Sequence, residues 1–125
     1  MEITLYGRPI TKKNSQRIIV AGKMRKIIPS KQYKVYERDC LYQLLQTPRA
    51  PEGALNMACV YYMPTRHKVD LVNLLEATCD ILVEAGIIED DNSKIIVSHD
   101  GSRVKYDKTN PRVEITLSEA IVDAD

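Results

Sequence analysis

Asp70, the Asp90-Asp91 pair and Glu76 between them are the side chains best placed to do chemistry in this chain. Hydrolysis of a phosphodiester with a divalent cation needs two or more carboxylates converging within about 4 Å of a shared ion. Mg²⁺ prefers hard oxygen ligands and commonly takes one or two carboxylates, keeping waters for the rest. Asp70, Asp90 and Asp91 are the candidates for that task. Each has a plainer reading beside it. Asp70 stands where a helix N-cap belongs, and Asp90-Asp91-Asn92-Ser93 has the composition of a surface turn. Geometry sets an obstacle, because a helix over 71–85 is about 22 Å long and separates the candidates. The residues from Gly86 to Asp90 reach at most about 17 Å when extended. Either the chain doubles back along the helix, or a second subunit brings its own end alongside. Glu76, Asp80 and Glu84 follow at i, i+4 and i+8 on one helix face. Like charges at that spacing repel, so a basic neighbour or a metal explains them better than water does.

The charge distribution points the same way. Residues 69–93 hold seven carboxylates and no Lys or Arg, whereas residues 1–38 hold ten Lys or Arg against Glu2 and Glu37. The formal net charge of +1 therefore conceals a basic N-terminal part and an acidic segment. Such a split suits a protein that grips a polyanion with one surface and gathers metal-binding carboxylates on another. Lys12, Lys13, Asn14 and Arg17, then Lys23, Arg25 and Lys26, make a basic loop and hairpin able to straddle a phosphate backbone, with Arg66 and Lys68 flanking the acidic site. The plainer alternative is a solvated acidic helix in a charge-mixed domain.

Other chemistries find little support. Cys40, Cys59 and Cys79 are widely spaced within apolar-periodic stretches, and His67 and His99 stand apart, which argues against zinc and for core thiols. There is no Gly-rich phosphate loop, Ser-His-Asp arrangement or dinucleotide fingerprint. No apolar run approaches the roughly 20 residues of a membrane span, and Met1–Tyr6 lacks the regions of a signal peptide, so a cytoplasmic protein without a membrane partner is expected.

The elements that must position these residues follow from periodicity. Ile3 and Leu5 alternate with polar residues up to Gly7-Arg8-Pro9, a first strand. Residues 17–21 and 24–28 flank Gly22-Lys23 as a hairpin. Ser30 N-caps a helix to about Gln46, with Tyr33, Tyr36, Cys40, Leu41, Leu44 and Leu45 on one stripe. Leu55–Met63 alternates as a strand. Leu71, Leu74, Leu75, Thr78, Leu82 and Ala85 then keep a helical period, and Gly86 suits the position after its end. Ile87-Ile88 re-enters the core. Asp100-Gly101 between two short apolar runs predicts a further hairpin, and Arg112–Leu117 a last strand before a frayed end. The order predicts one α+β domain over 1–125, with a mixed or antiparallel sheet carrying two main helices and exposed edges that leave room for a homodimer.

Together these residues resemble the RusA-type Holliday-junction resolvases, endonucleases of phage and bacterial origin. The similarity is sharpest over Met63-Pro64, Lys68-Val69-Asp70-Leu71-Val72-Asn73-Leu74, Asp80, Leu82, Ala85-Gly86, Ile87-Ile88 and Asp90-Asp91, and Lys13-Asn14-Ser15 resembles the family's Asn-containing loop after the first strand. The resemblance implies a homodimer that binds four-way DNA junctions and nicks two opposing strands with Mg²⁺, Mn²⁺ being able to substitute. It places Asp70 and Asp91 on metal-ligand positions, Asp90 on the adjoining acidic position, and Asn73 on the family's Asn beside the DNA. Val72 stands where the family has a metal-ligand Asp, and Glu76 where many members have a Lys important for cleavage. Glu76 lies one turn beyond Val72 on the same face, and its longer side chain could restore the missing oxygen. The alternative is a catalytically weak or inactive junction-binding protein of the same fold.

Overall fold

Side chains that alternate between apolar and polar give this chain its central strand and the surface the helices cover. The computed structural model describes residues 1–12, 16–22 and 24–121. Strand β4, Leu55–Met63, buries Leu55, Met57, Cys59, Tyr61 and Met63 and turns the residues between them to the other face. Its antiparallel neighbour β7, Arg112–Glu119, sets Val113, Ile115 and Leu117 opposite Tyr61, Cys59 and Met57. Strand β1, Glu2–Tyr6, adds Leu5 and Ile3 to the same rows through its antiparallel pairing with β7. Period-2 patterning thus builds a single apolar sheet face, each large side chain contributing about 1.5–3 kcal/mol by leaving water.

Helices α1, Lys31–Gln43, and α2, Leu71–Glu84, cover that face. Ser30 caps α1 as expected, its hydroxyl accepting from the Tyr33 N–H at 3.1 Å. The helix stops three residues earlier than the periodicity predicts, because the Leu44 N–H already closes onto Cys40 and Leu41 and the chain tightens into a turn. Leu44 stays buried, whereas Leu45, expected on the core stripe, is carried out to solvent. α2 ends as the sequence predicts. Gly86 takes φ +74°, its N–H reaches Val83 and the Ile87 N–H reaches Leu82, which seals the last carbonyls and swings Ile87 and Ile88 into the core.

The expected hairpin around Gly22-Lys23 is present. Strands β2, Gln16–Ala21, and β3, Met24–Pro29, pair antiparallel with Ala21 opposite Met24, forming a separate two-stranded sheet. The hairpin expected around Asp100-Gly101 is not. Strands β5, Ile96–Ser98, and β6, Arg103–Tyr106, both pair parallel with β4, one after the other along the same edge. Asn56 faces Ser98 and Val60 faces Arg103, so three residues of β4 oppose four of its partner. The positive φ that Asp-Gly supplies serves a bulge in an interrupted edge strand instead of a reversal. Side chains bridge the gap: the Asn56 carboxamide oxygen accepts from the Asp100 N–H at 2.8 Å, and Ser102 Oγ accepts from the Cys59 N–H at 3.0 Å. The last strand also continues to Glu119, past the expected fraying point.

The result is the expected α+β architecture, a five-stranded mixed sheet under two helices. Among the described residues no helix is long and apolar enough to cross a membrane. All three cysteines are buried free thiols; burial pushes Cys40 up to about 11, and Cys59 and Cys79 up to about 12, so they belong to the core and not to chemistry. One buried polar link ties α2 to the sheet. Thr78 Oγ1 donates to the Leu74 carbonyl at 3.0 Å, so the Tyr61 hydroxyl is the donor in their 2.7 Å contact. Tyr61→Phe deletes that bond while leaving the Thr78 donor satisfied, and should lower stability by about 1 kcal/mol, read as a lower urea midpoint with an unchanged slope.

Candidate active site

The site is built on α2 and on the two segments that flank it. Asp70 begins the helix in extended conformation and accepts the N–H groups of Val72 at 3.0 Å and Asn73 at 3.4 Å, both through Oδ1. The capping role is therefore real. It uses one carboxylate oxygen, and among the described residues nothing is bonded to the other.

Beyond Gly86 the chain turns back alongside the helix. Burial raises the Cys79 thiol first, and the next contributor is the charge of Asp91, followed after Cys59 by Asp80 and Glu76. Asp91 shares a cleft with Asp80, Val83 and Glu84, so it comes back beside the second half of α2. Asp70 lies about 15 Å along the axis from Asp80, ten residues at 1.5 Å each. Within one subunit the return is partial: it brings Asp91 and Asp90 to Asp80, not to the head of the helix.

There they line an open cleft of about 420 Å³ with Lys12, Glu37, Val83 and Glu84. Among the described residues five carboxylates share this cleft with one ammonium, that of Lys12. Lys12 Nζ donates to Asp80 Oδ2 at 3.3 Å and lies 5.8 Å from the centre of the Tyr33 ring. Tyr33 is fully buried, with its hydroxyl close to Glu37. Burial, then the charges of Glu37 and Asp80, push its ionisation far above the usual tyrosine range, so it remains a neutral donor. Asp90 is bound within its own turn, accepting from the Asn92 amide at 2.8 Å and the Asp91 N–H at 2.9 Å. The Asn92 amide first, then the Asp91 N–H, hold its carboxyl below the usual range, so it is ionised at neutral pH. Among the described residues no group of three or more His, Cys, Asp or Glu is gathered tightly enough to hold a metal ion.

A second hollow, of about 220 Å³, lies at the head of α2, between the turn after β1 and the connector 64–69. Arg8, His67 and Lys68 line it with Gln32, Thr11 and Thr65, and among the described residues no carboxylate is in its walls. Thr11 belongs to this groove and Lys12 to the acidic cleft, so one peptide bond joins the two.

Of the residues expected to contact DNA, Lys68 lines the groove and Arg66 is stacked on Tyr106, its guanidinium carbon 4.2 Å from the ring centre. Lys12 is engaged with Asp80. Arg17, Arg25 and Lys26 lie on β2 and β3. Lys13, Asn14 and Lys23 lie outside the described residues. Asn73 sits in the first turn of α2. Glu76 is exposed, and Val72 retains 67% of its surface in solvent. Sequence reasoning did not assign Asp80, Glu37 or Tyr33 to the site. The i, i+4, i+8 acidic series pointed to Asp80, but Glu37 and Tyr33 join only because α1 lies beside α2.

Residues 7–118 match the family model described as endodeoxyribonuclease RusA, and the chain belongs to that family. No individual curated protein matches it. The two roles open to Asp70 separate experimentally. Asp70→Ala removes the cap acceptor and should cost about 1 kcal/mol in chemical denaturation, whereas Asp70→Asn keeps an acceptor and should stay within a few tenths of wild type.

Proposed function

We propose that this chain is a homodimeric endodeoxyribonuclease that nicks opposing strands of a four-way DNA junction with Mg²⁺ bound. Membership of the endodeoxyribonuclease RusA family supports the reaction class. The observation that carries the reading is the pairing of a carboxylate-lined cleft with an acid-free basic groove one residue away. A nuclease needs that juxtaposition, cations to hold the phosphate backbone and carboxylates to work on it.

The donor chemistry fits Mg²⁺, since Asp70, Asp90 and Asp91 all offer hard oxygens, and Mn²⁺ would be accepted by the same set. Asp91 is exposed on the cleft wall, Asp90 beside it is ionised, and Asp70 keeps an oxygen beyond its cap. Bound metal would supply an activated water and neutralise charge building on the phosphate. A second copy packed along α2 would bring its own Asp70 to this Asp91, which the single subunit leaves apart. The DNA-facing set is then Lys12, Lys13, Asn14, Arg17, Lys23, Arg25, Lys26, Arg66, Lys68 and Asn73.

Glu76 carries the reading's sharpest consequence. It lies four residues beyond Val72 on α2, and with Asp91 and Asp80 it raises the Cys79 thiol, so its charge acts on the same stretch of helix. A carboxylate there replaces the oxygen that Val72 cannot offer. One observation favours the alternative of a junction-binding protein with weak or no cleavage: Val72 presents an apolar, mostly exposed side chain where the family has a ligand.

Cleavage of a synthetic four-way junction should occur as paired nicks in Mg²⁺ and vanish in EDTA. A retarded but uncut junction in both conditions establishes the alternative. In an active protein, Asp91→Asn should abolish nicking while leaving junction binding intact or tighter, because repulsion of phosphate falls. Glu76→Gln should slow single-turnover nicking by roughly a hundredfold, and adding Val72→Asp should restore part of it. Indifference to Glu76→Gln would leave Asp70, Asp90 and Asp91 as the whole ligand set.

A further inference from the structure

We infer that the groove at the head of α2 is a seat for one backbone phosphate, with Arg8 as its principal cation, and that it fixes which phosphodiester reaches the acidic cleft. The inference rests on the nuclease reading above and adds to it a ligand site and a positioning role.

Lining chemistry is the first argument. The adjacent cleft gathers five carboxylates, yet among the described residues no Asp or Glu lines this groove. Arg8, His67 and Lys68 converge there from two separate segments, and Gln32 and Thr65 add neutral donors. Arg8 and Lys68 bring two like charges into one groove that no carboxylate of the described residues lines, so an anion between them is the arrangement that relieves the repulsion. Arg8 offers a planar fork of donors that matches two phosphate oxygens, whereas Lys68 is a point charge.

Fit and support are the second. A volume of about 220 Å³ corresponds to roughly seven waters, enough for a phosphate with part of its sugars. The turn bearing Arg8 is anchored to the sheet, the Gly7 N–H donating to the Pro111 carbonyl at 3.0 Å. Lys68 lies two residues before Asp70, the cap of α2. Both cations therefore hang from fixed backbone.

Position is the third. Thr11 closes the groove and Lys12 opens the cleft, so a strand whose phosphate sits on Arg8 continues directly towards Asp80, Asp90 and Asp91. Loss of Arg8 should then loosen register as well as weaken binding. Because Arg8 is exposed and no hydrogen bond or ion pair of its side chain is seen among the described residues, its replacement should leave folding intact.

The test compares the wild type with Arg8→Ala and Arg49→Ala, the latter lining a different hollow beside Glu89. Junction affinity is measured in EDTA by fluorescence anisotropy over a range of KCl. Arg8→Ala should lower the logarithmic salt slope by about one unit, and Arg49→Ala should leave it unchanged. In Mg²⁺, Arg8→Ala should spread the nicks over neighbouring phosphodiesters, which a purely structural role would not do. A wild-type slope and nick position in Arg8→Ala overturn the seat while leaving the nuclease reading intact. Titration with pyrophosphate, followed by amide chemical shifts, separates the two ideas from the other side. Shifts centred on Arg8, Thr11 and Lys68 in a protein that binds no junction keep the anion seat and overturn DNA as its source. No shifts there, with junction binding retained, overturn the seat.

Discussion

Parallel strands cannot be joined by a tight turn, so the pairing of β4 with β5 and β6 obliges the chain to cross back over the sheet between them. Helix α2 is that crossover. It leaves the sheet at the Met63 end of β4 and returns beside Leu55, where β5 begins. The helix therefore runs against the strands, and everything attached to its two ends is separated by its length. Asp70 is fixed at one end by its cap, and the acidic turn is fixed beyond the other by the closure at Gly86. Where the carboxylates can meet follows from this one topological requirement.

The same crossover organises the charges. Gln32 lies with Lys68, Glu37 with Asp80, and Leu41 and Leu44 with Glu84 and Ala85, so the two helices run side by side in the same direction. The segment leaving β1 passes over them, presenting Arg8 at the head of α2 and Lys12 at its middle. Lys12 is thereby committed to the acidic side, where its ammonium offsets part of the repulsion among Glu37, Asp80, Glu84, Asp90 and Asp91. The pair is half exposed, and screening by water keeps its contribution to stability small. Its importance is to the field of the cleft. A carboxylate cluster attracts further cations, while the neighbouring groove, lined by no acid of the described residues, attracts phosphate.

Capping and ligation are commonly treated as rival explanations for an aspartate at a helix start. Here they are compatible, since both N–H groups bond to one oxygen of Asp70. Asp90 is the opposite case, because the Asn92 amide and the Asp91 N–H engage both of its oxygens within the turn. Both members of the pair line the cleft, and Asp90 also shapes the turn that presents Asp91.

Much of this was legible before any coordinates. Period-2 and helical-period apolar spacing specified β1, β4, β7 and α2, Ser30 and Asp70 announced their caps, and Gly86 announced the reversal, because each of these signals acts within a few residues of backbone. The end of α1 was misplaced for an equally local reason, as propensity changes little across Leu44 and Leu45. Asp100-Gly101 misled because a residue pair that permits positive φ does not say whether the chain will reverse or bulge; the parallel partner decided that, through the side chains of Asn56 and Ser102. The candidate carboxylates and the charge asymmetry were sequence properties too. Which of them meet was not. Asp80 with Asp90 and Asp91, Lys12 and Tyr33 against that cluster, and Arg8 beside Lys68 all join residues ten or more positions apart. Such contacts arise from the direction of a crossover and the packing of two helices, neither of which a linear pattern encodes.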